Sequence, residues 1–207
     1  MTGLYSGSRM DGPARTEEST LMRDPNRRGA PGFSTLEVIA GLSVLMFVAG
    51  MAVVSMEGAR PGIQAGAGLD LVMGELRLAR ESAMAQQRSF RIRLDAPARM
   101  QLRRFDVPFG FTDFPAVSME NTVQFTLFAG LPDTPDGFGN ANSIAFGGTR
   151  TLIFRSDGTL VDSAGVPLDG TMFIGIPGHP ETARAVTIQG ATGRMRAYHW
   201  TGSVWEE

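Results

Sequence analysis

The chain contains no cysteine, which removes disulfides and thiolate chemistry together. Lysine is absent as well: all nineteen basic residues are arginine, a bias that reads as base composition rather than function. Histidine is reduced to His179 and His199, and neither sits in an HExxH spacing, a nucleophile elbow or a paired-ligand pattern. His179 lies in Gly178-His179-Pro180, which reads as a loop. Asp157, Asp162 and Asp169 lack the close alternating spacing of an EF-hand loop and read as turn residues. No catalytic residue, metal ligand or cofactor is expected, and the chain is not read as an enzyme. Excess positive charge is missing too. A formal net charge of −2 gives no wholesale attraction to nucleic acid, so any anion site must be local.

Against these absences stands one long apolar run. Residues 33–56 are apolar or small with a single exception, Glu37. As a helix the run rises roughly 36 Å, enough to cross a hydrocarbon core of about 30 Å. An ionisable group inside such a span costs on the order of 2.5–3.5 kcal/mol at its centre and usually has a partner and a task. Glu37 lies near one end, where the cost is lower, yet it still needs a reason. Residues 1–32 are polar, and Arg23, Arg27 and Arg28 crowd next to the apolar run. Positive charge there favours a cytoplasmic N-terminus with the remainder across the membrane. A secretory signal has a shorter apolar core, about 7–15 residues, and no Ala-x-Ala-like site follows Met56. A plain signal-anchor helix would explain the length and the basic flank, but not Glu37 or Gly32.

Gly32-Phe33-Ser34-Thr35-Leu36-Glu37-Val38 resembles the processing site of type IV prepilins and type II secretion pseudopilins. The resemblance implies that prepilin peptidase cuts after Gly32 on the cytoplasmic side and methylates the new N-terminal Phe33. Glu37 then becomes the fifth residue of the mature chain, where the family has its glutamate. Ala30-Pro31 replaces the usual basic residue before the glycine, and the leader is long. In an assembled filament Glu37 of one subunit would approach the Phe33 ammonium of a neighbour. A charge pair of that kind specifies register more than it adds stability.

The domains expected are a leader peptide at 1–32, a transmembrane helix at 33–56, a periplasmic helix continuation at 57–88 and a β-rich head at 89–207. Pro61, in Glu57-Gly58-Ala59-Arg60-Pro61-Gly62, is expected to kink or locally melt the helix. Leu69, Val72, Met73, Leu76, Ala79, Ala83 and Met84 then recur at three- and four-residue spacing, an amphipathic helix over about 69–88 packed on a sheet. Short strands follow at 89–94, 98–105, 122–128, 150–155, 159–162, 171–176, 184–189 and 194–200. Turn signals at Ser156-Asp157-Gly158-Thr159, Pro177-Gly178 and Gly190-Ala191-Thr192-Gly193 separate the later ones. Gly130 to Gly148 reads as a long surface loop. A long helix plus an antiparallel sheet is an α+β arrangement.

Phe154-Arg155-Ser156-Asp157-Gly158-Thr159 and Val186-Thr187-Ile188-Gln189-Gly190-Ala191-Thr192-Gly193-Arg194 are similar to two recurrent signatures of the GspH/FimT branch. With the N-terminus, the resemblance covers most of residues 32–200 apart from 106–148. It implies a pilin-like fold: a long N-terminal hydrophobic helix packed on an antiparallel β-sheet head. It also implies a minor pseudopilin of a type II secretion or type IV pilus machine. The partners implied are other pilins or pseudopilins, prepilin peptidase and an inner-membrane assembly platform with its ATPase. The location implied is a single-pass inner-membrane protein with a periplasmic head.

One local anion site stands out. In a strand, Arg194, Arg196, Tyr198 and Trp200 share a face, where guanidinium groups contact phosphate and aromatic rings stack bases. Gly193 would let the preceding turn take positive φ and bring backbone N–H groups to an anion. FimT-type members linked to natural transformation carry a Gly-Arg-x-Arg motif, so Gly193-Arg194-Met195-Arg196 implies DNA binding as an alternative, with Arg184 contributing from the neighbouring strand. The competing reading is an exposed strand face or a subunit contact, with Tyr198 and Trp200 covering a core. That reading is preferred, because the chain becomes more acidic once the leader, with five arginines and four acids, is removed.

Overall fold

The computed structural model describes residues 32–207, with the side chains of residues 53–57 excepted. The expected leader, Gly32 apart, lies outside the described residues. Two compact units divide the chain at Phe47/Val48.

Helix α1 (Thr35–Gln86) begins in the first unit. Ser34 accepts the Glu37 N–H on its hydroxyl at 3.2 Å, and its carbonyl accepts the Val38 N–H at 3.1 Å. Ser34 is thus the N-cap, and Ser34-x-x-Glu37 has the spacing of a capping box. The first eighteen helical residues, Thr35–Ala52, are long and apolar enough to cross a membrane, and none is buried.

In the second unit the helix earns its stability by packing rather than propensity. Ala65, Val72, Leu76, Ala79 and Ala83 follow the helical period and are fully buried. Helical assignment runs unbroken through Pro61, so the expected interruption takes the form of one lost backbone bond, not a melted turn. Gln87 ends the helix in the left-handed region (φ 51°), and the Arg88 N–H reaches back to the Ala83 carbonyl at 3.1 Å. This six-to-one bond closes the last turn.

Twelve strands follow: β1 (Phe90–Asp95), β2 (Arg99–Phe105), β3 (Phe111–Asp113), β4 (Val117–Ser118), β5 (Gln124–Phe125), β6 (Ile144–Ala145), β7 (Thr151–Phe154), β8 (Leu160–Val161), β9 (Gly170–Ile176), β10 (His179–Gln189), β11 (Arg194–Trp200) and β12 (Trp205–Glu206). The arrangement is α+β, as the pattern predicts, but the strands form two antiparallel sheets and not one. The first has the order β3-β2-β1-β7-β8, with β4 also on β2. The second has the order β12-β11-β10-β9-β5, with β6 also on β9.

The main core joins both sheets to the helix. Leu76, Ala79 and Ala83 pack with Phe90, Ile92 and Leu94 of β1, Leu152 and Phe154 of β7, and Ile174, Val186 and Ile188 of the second sheet. Burying each large side chain contributes about 1.5–3 kcal/mol. A second, smaller cluster lies on the other face of the second sheet: Phe173, Ala183, Ala185, Tyr198 and Trp205, with Leu127, Phe128, Leu131 and Trp200 against it. Every residue of β9 is therefore buried. Part of the stretch read as a surface loop is a cover for this face, and Ile144–Ala145 within it pairs with β9. His179, read as a loop residue, opens β10 opposite Ile176, and the register then shifts before Arg184.

Candidate functional site

Gly32 and Phe33 precede the helix and are exposed, Phe33 to 80%. The peptide bond between them lies outside regular structure. Glu37 stands in the first helical turn, where a carboxylate offsets the positive end of the helix dipole. It makes no ion pair among the described residues. Its N–H is held by the Ser34 cap, a signal present in the sequence as Ser-x-x-Glu and overlooked beside the glutamate itself.

In the second unit the β10–β11 hairpin sets the faces of the candidate arginines. Arg194 pairs with Gln189, Arg196 with Thr187 and Tyr198 with Ala185, so the three project from one face as expected. Their environments diverge. Arg194 is exposed and makes no ion pair among the described residues. The Arg196 guanidinium donates to Asp136, which reaches over from the covering segment. The same carboxylate accepts the Thr187 hydroxyl and, at 3.0 Å, the Tyr198 hydroxyl. Its neighbour Tyr198, with Asp136, holds the guanidinium firmly charged, raising its pKa, while burial raises that of the Tyr198 phenol. Tyr198 is 3% exposed, and Trp200 lies edge-on to Trp205 at 5.3 Å. The Tyr198 ring is not free to stack a base, because it is buried under the covering segment, and Trp200 is partly covered by its contact with Trp205.

Arg184 does not join them. It pairs in register with His199 and so lies on the opposite face. Its side chain donates to the Ala183 carbonyl at 2.9 Å, and burial lowers its pKa.

The company of Arg194 comes instead from the helix. Arg80 donates from Nε to the Gly158 carbonyl and from Nη2 to the Thr192 carbonyl, both at 3.2 Å. The two turns that carry the sequence signatures, one from each sheet, thus meet at a single guanidinium. Gly193 (φ 63°) permits this approach: a Cβ there would stand 2.0 Å from the Gly158 oxygen. Its own N–H donates to Gln189 at 2.8 Å and is spent inside the turn, not offered to an anion. Arg77, Arg80, Glu81, Thr192, Gly193, Arg194 and Met195 line a cleft of about 390 Å³.

The aspartates serve turns. Asp157 accepts the Thr159 N–H and hydroxyl, Asp162 accepts the Ala164 and Val166 N–H groups, and Asp169 accepts the Gly190 N–H. His179 pairs with Glu181 at 2.9 Å and His199 with Glu206 at 3.4 Å, on separate strands.

No protein-family model and no curated protein matches the chain. Among solved structures, it is similar to the minor pseudopilin EpsH of the type II secretion system of Vibrio cholerae, at 17% identity and a TM-score of 0.46, over 68% of this chain and 99% of that one. It is similar also to the type IV minor pilin FimU of Pseudomonas aeruginosa, at 17% identity and a TM-score of 0.44, over 64% of this chain and 90% of that one. A second crystal form of FimU gives 16% identity, a TM-score of 0.45, and coverage of 73% and 96%.

Proposed function

We propose that the chain is a minor pseudopilin-like subunit of a type II secretion or type IV pilus machine. The observation that carries this reading is the coincidence at one place of an exposed Gly32-Phe33 bond, a capped helix start and Glu37 at the head of an unburied apolar helix. In this reading the helix first anchors the precursor in the inner membrane, N-terminus cytoplasmic and head periplasmic. Prepilin peptidase then removes residues 1–32 and methylates Phe33. The new ammonium of one subunit meets Glu37 of the next, and the assembly platform adds the subunit to a short filament with other pilins. The action is mechanical and not catalytic.

Glu37→Ala should leave membrane insertion intact and reduce co-purification with partner pilins by an order of magnitude or more. Undiminished co-purification would sink the assembly role of Glu37. Independently, the mass of the chain recovered from membranes should lack residues 1–32 and carry one extra methyl group. Recovery of the intact precursor beside an active peptidase would argue for a simple membrane-anchored β domain.

DNA capture through Gly193-Arg194-Met195-Arg196 is the weaker reading, since Arg196 is already neutralised by Asp136 and Arg184 faces away. Joint Arg194→Ala and Arg196→Ala substitution would test it: salt-dependent binding of duplex DNA by the full chain, lost in the double variant, would restore it.

A further inference from the structure

The outer face of the first sheet carries a cluster that neither assembly nor the β10–β11 hairpin uses. Along β1, Phe90, Ile92 and Leu94 enter the core, which sends Arg91 and Arg93 outward. Register places Arg91 directly opposite Arg103 of β2, and Arg93 opposite Gln101. Like charges facing one another across strands oppose the pairing. Asp95 accepts from Arg93 Nε, and Asp113 accepts from both Nε and Nη2 of Arg103. Arg91 has no such carboxylate; it makes no ion pair among the described residues. Its guanidinium lies over the Phe105 ring, 4.7 Å from the centroid, as Arg103 lies over Phe111 at 3.8 Å. The rings hold both cationic planes in place. Arg91 Nε is closed off from solvent and meets no acceptor, so a ligand in the cleft would meet the Nη edge of this guanidinium.

Arg91, Arg93, Gln101, Arg103 and Thr151 line a cleft of about 310 Å³. They supply guanidinium, amide and hydroxyl donors, and no carboxylate is among them. The cleft is rich in donors and short of acceptors. We propose that it binds a phosphate group. Guanidinium forks grip phosphate through paired N–H bonds. Arg93 and Arg103 are partly committed to Asp95 and Asp113, so Arg91, with no carboxylate of its own among the described residues, is the principal cation for the ligand. A tetrahedral oxyanion keeps further acceptors for the N–H groups that the other two retain. Thr151 and Gln101 would add neutral donors at the rim. A free phosphate ion and the phosphate ester of a lipid headgroup present the same chemistry. The site is independent of Glu37 and of Arg194, so it stands or falls without the assembly reading.

The test uses the full-length chain in a maltoside detergent at constant ionic strength, with chloride replaced stepwise by inorganic phosphate in one arm and by glycerol 3-phosphate in the other. At least one ligand should move the Arg91 Nε–Hε NMR signal to saturation and raise the unfolding temperature. Arg91→Gln should lose the rise in unfolding temperature. Thr151→Val, which leaves every charge in place, should weaken binding several-fold. Tighter binding of inorganic phosphate assigns a free ion and tighter binding of glycerol 3-phosphate an esterified one, and either supports the site. An equal response to chloride, or an unfolding-temperature rise in Arg91→Gln that matches the parent chain, overturns it.

Discussion

On the second sheet the outward row of β10 and β11 is roofed by Leu127, Phe128 and Leu131, and its half-buried Arg196 is met by Asp136. On the first sheet the outward row of β1 and β2 stays open, and Arg91 there makes no ion pair among the described residues, while Arg93 meets only Asp95 of its own strand. Both rows begin from the same local pattern, Arg91-Ile92-Arg93 and Arg194-Met195-Arg196. The alternation places the guanidiniums, and what the rest of the chain sets over them decides their role. Asp136 is sixty residues away from Arg196, so its contribution has no local signature.

The largest disturbance should come where the two sheets share a support. Gly193→Ala sets a Cβ against the Gly158 carbonyl in a left-handed turn and should destabilise the second unit by roughly 3 kcal/mol. Thermal unfolding would show it, with a drop of about 6–12 °C. A change under about 2 °C would mean that the junction yields and the sheets are more independent than their contact through Arg80 implies.

Removing the roof's attachment comes next. Asp136→Ala leaves two buried hydroxyls, of Thr187 and Tyr198, and one guanidinium without their acceptor, a loss of about 2 kcal/mol. Hydrogen exchange should quicken through residues 127–138 and in β11, while β1 and β2 keep their protection. Uniform quickening in both sheets would erase the contrast between their outer faces.

Acid should produce the smallest effect, on the opposite sheet. Thr112 and Arg104 hydrogen bonds hold the Asp106 carboxyl below its ordinary range, and Arg103 does the same for Asp113. A depressed carboxylate supports the fold above its unfolded pKa, about 3.9, and loses that support as pH falls through its lower folded value. Amide exchange in β3, compared with β7 at each pH, should therefore speed up below about pH 4. β3 exchanging no faster than β7 across that range would separate the edge strand from its ion pairs.

The helix, its buried stripe and the longer strands were legible because each follows a period that one segment displays by itself. Two-residue strands such as Ile144–Ala145 are too short to show a period and exist only because β9 offers an edge. Gly193 and the Asp157-Gly158 turn were visible as turns, whereas their common partner, Arg80, sits on a helix face that reads as solvated. Tyr198 and Trp200 were correctly aligned with the arginines in sequence, but nothing local indicates that residues 127–138 fold over them.

The Arg80 guanidinium joins one turn from each sheet through two backbone carbonyls. Mechanically, it acts as a rivet through three plates: shear of α1 against the first sheet strains its bond to Gly158, and shear against the second its bond to Thr192. A pull along the helix would therefore reach both sheets together rather than peel them one after the other.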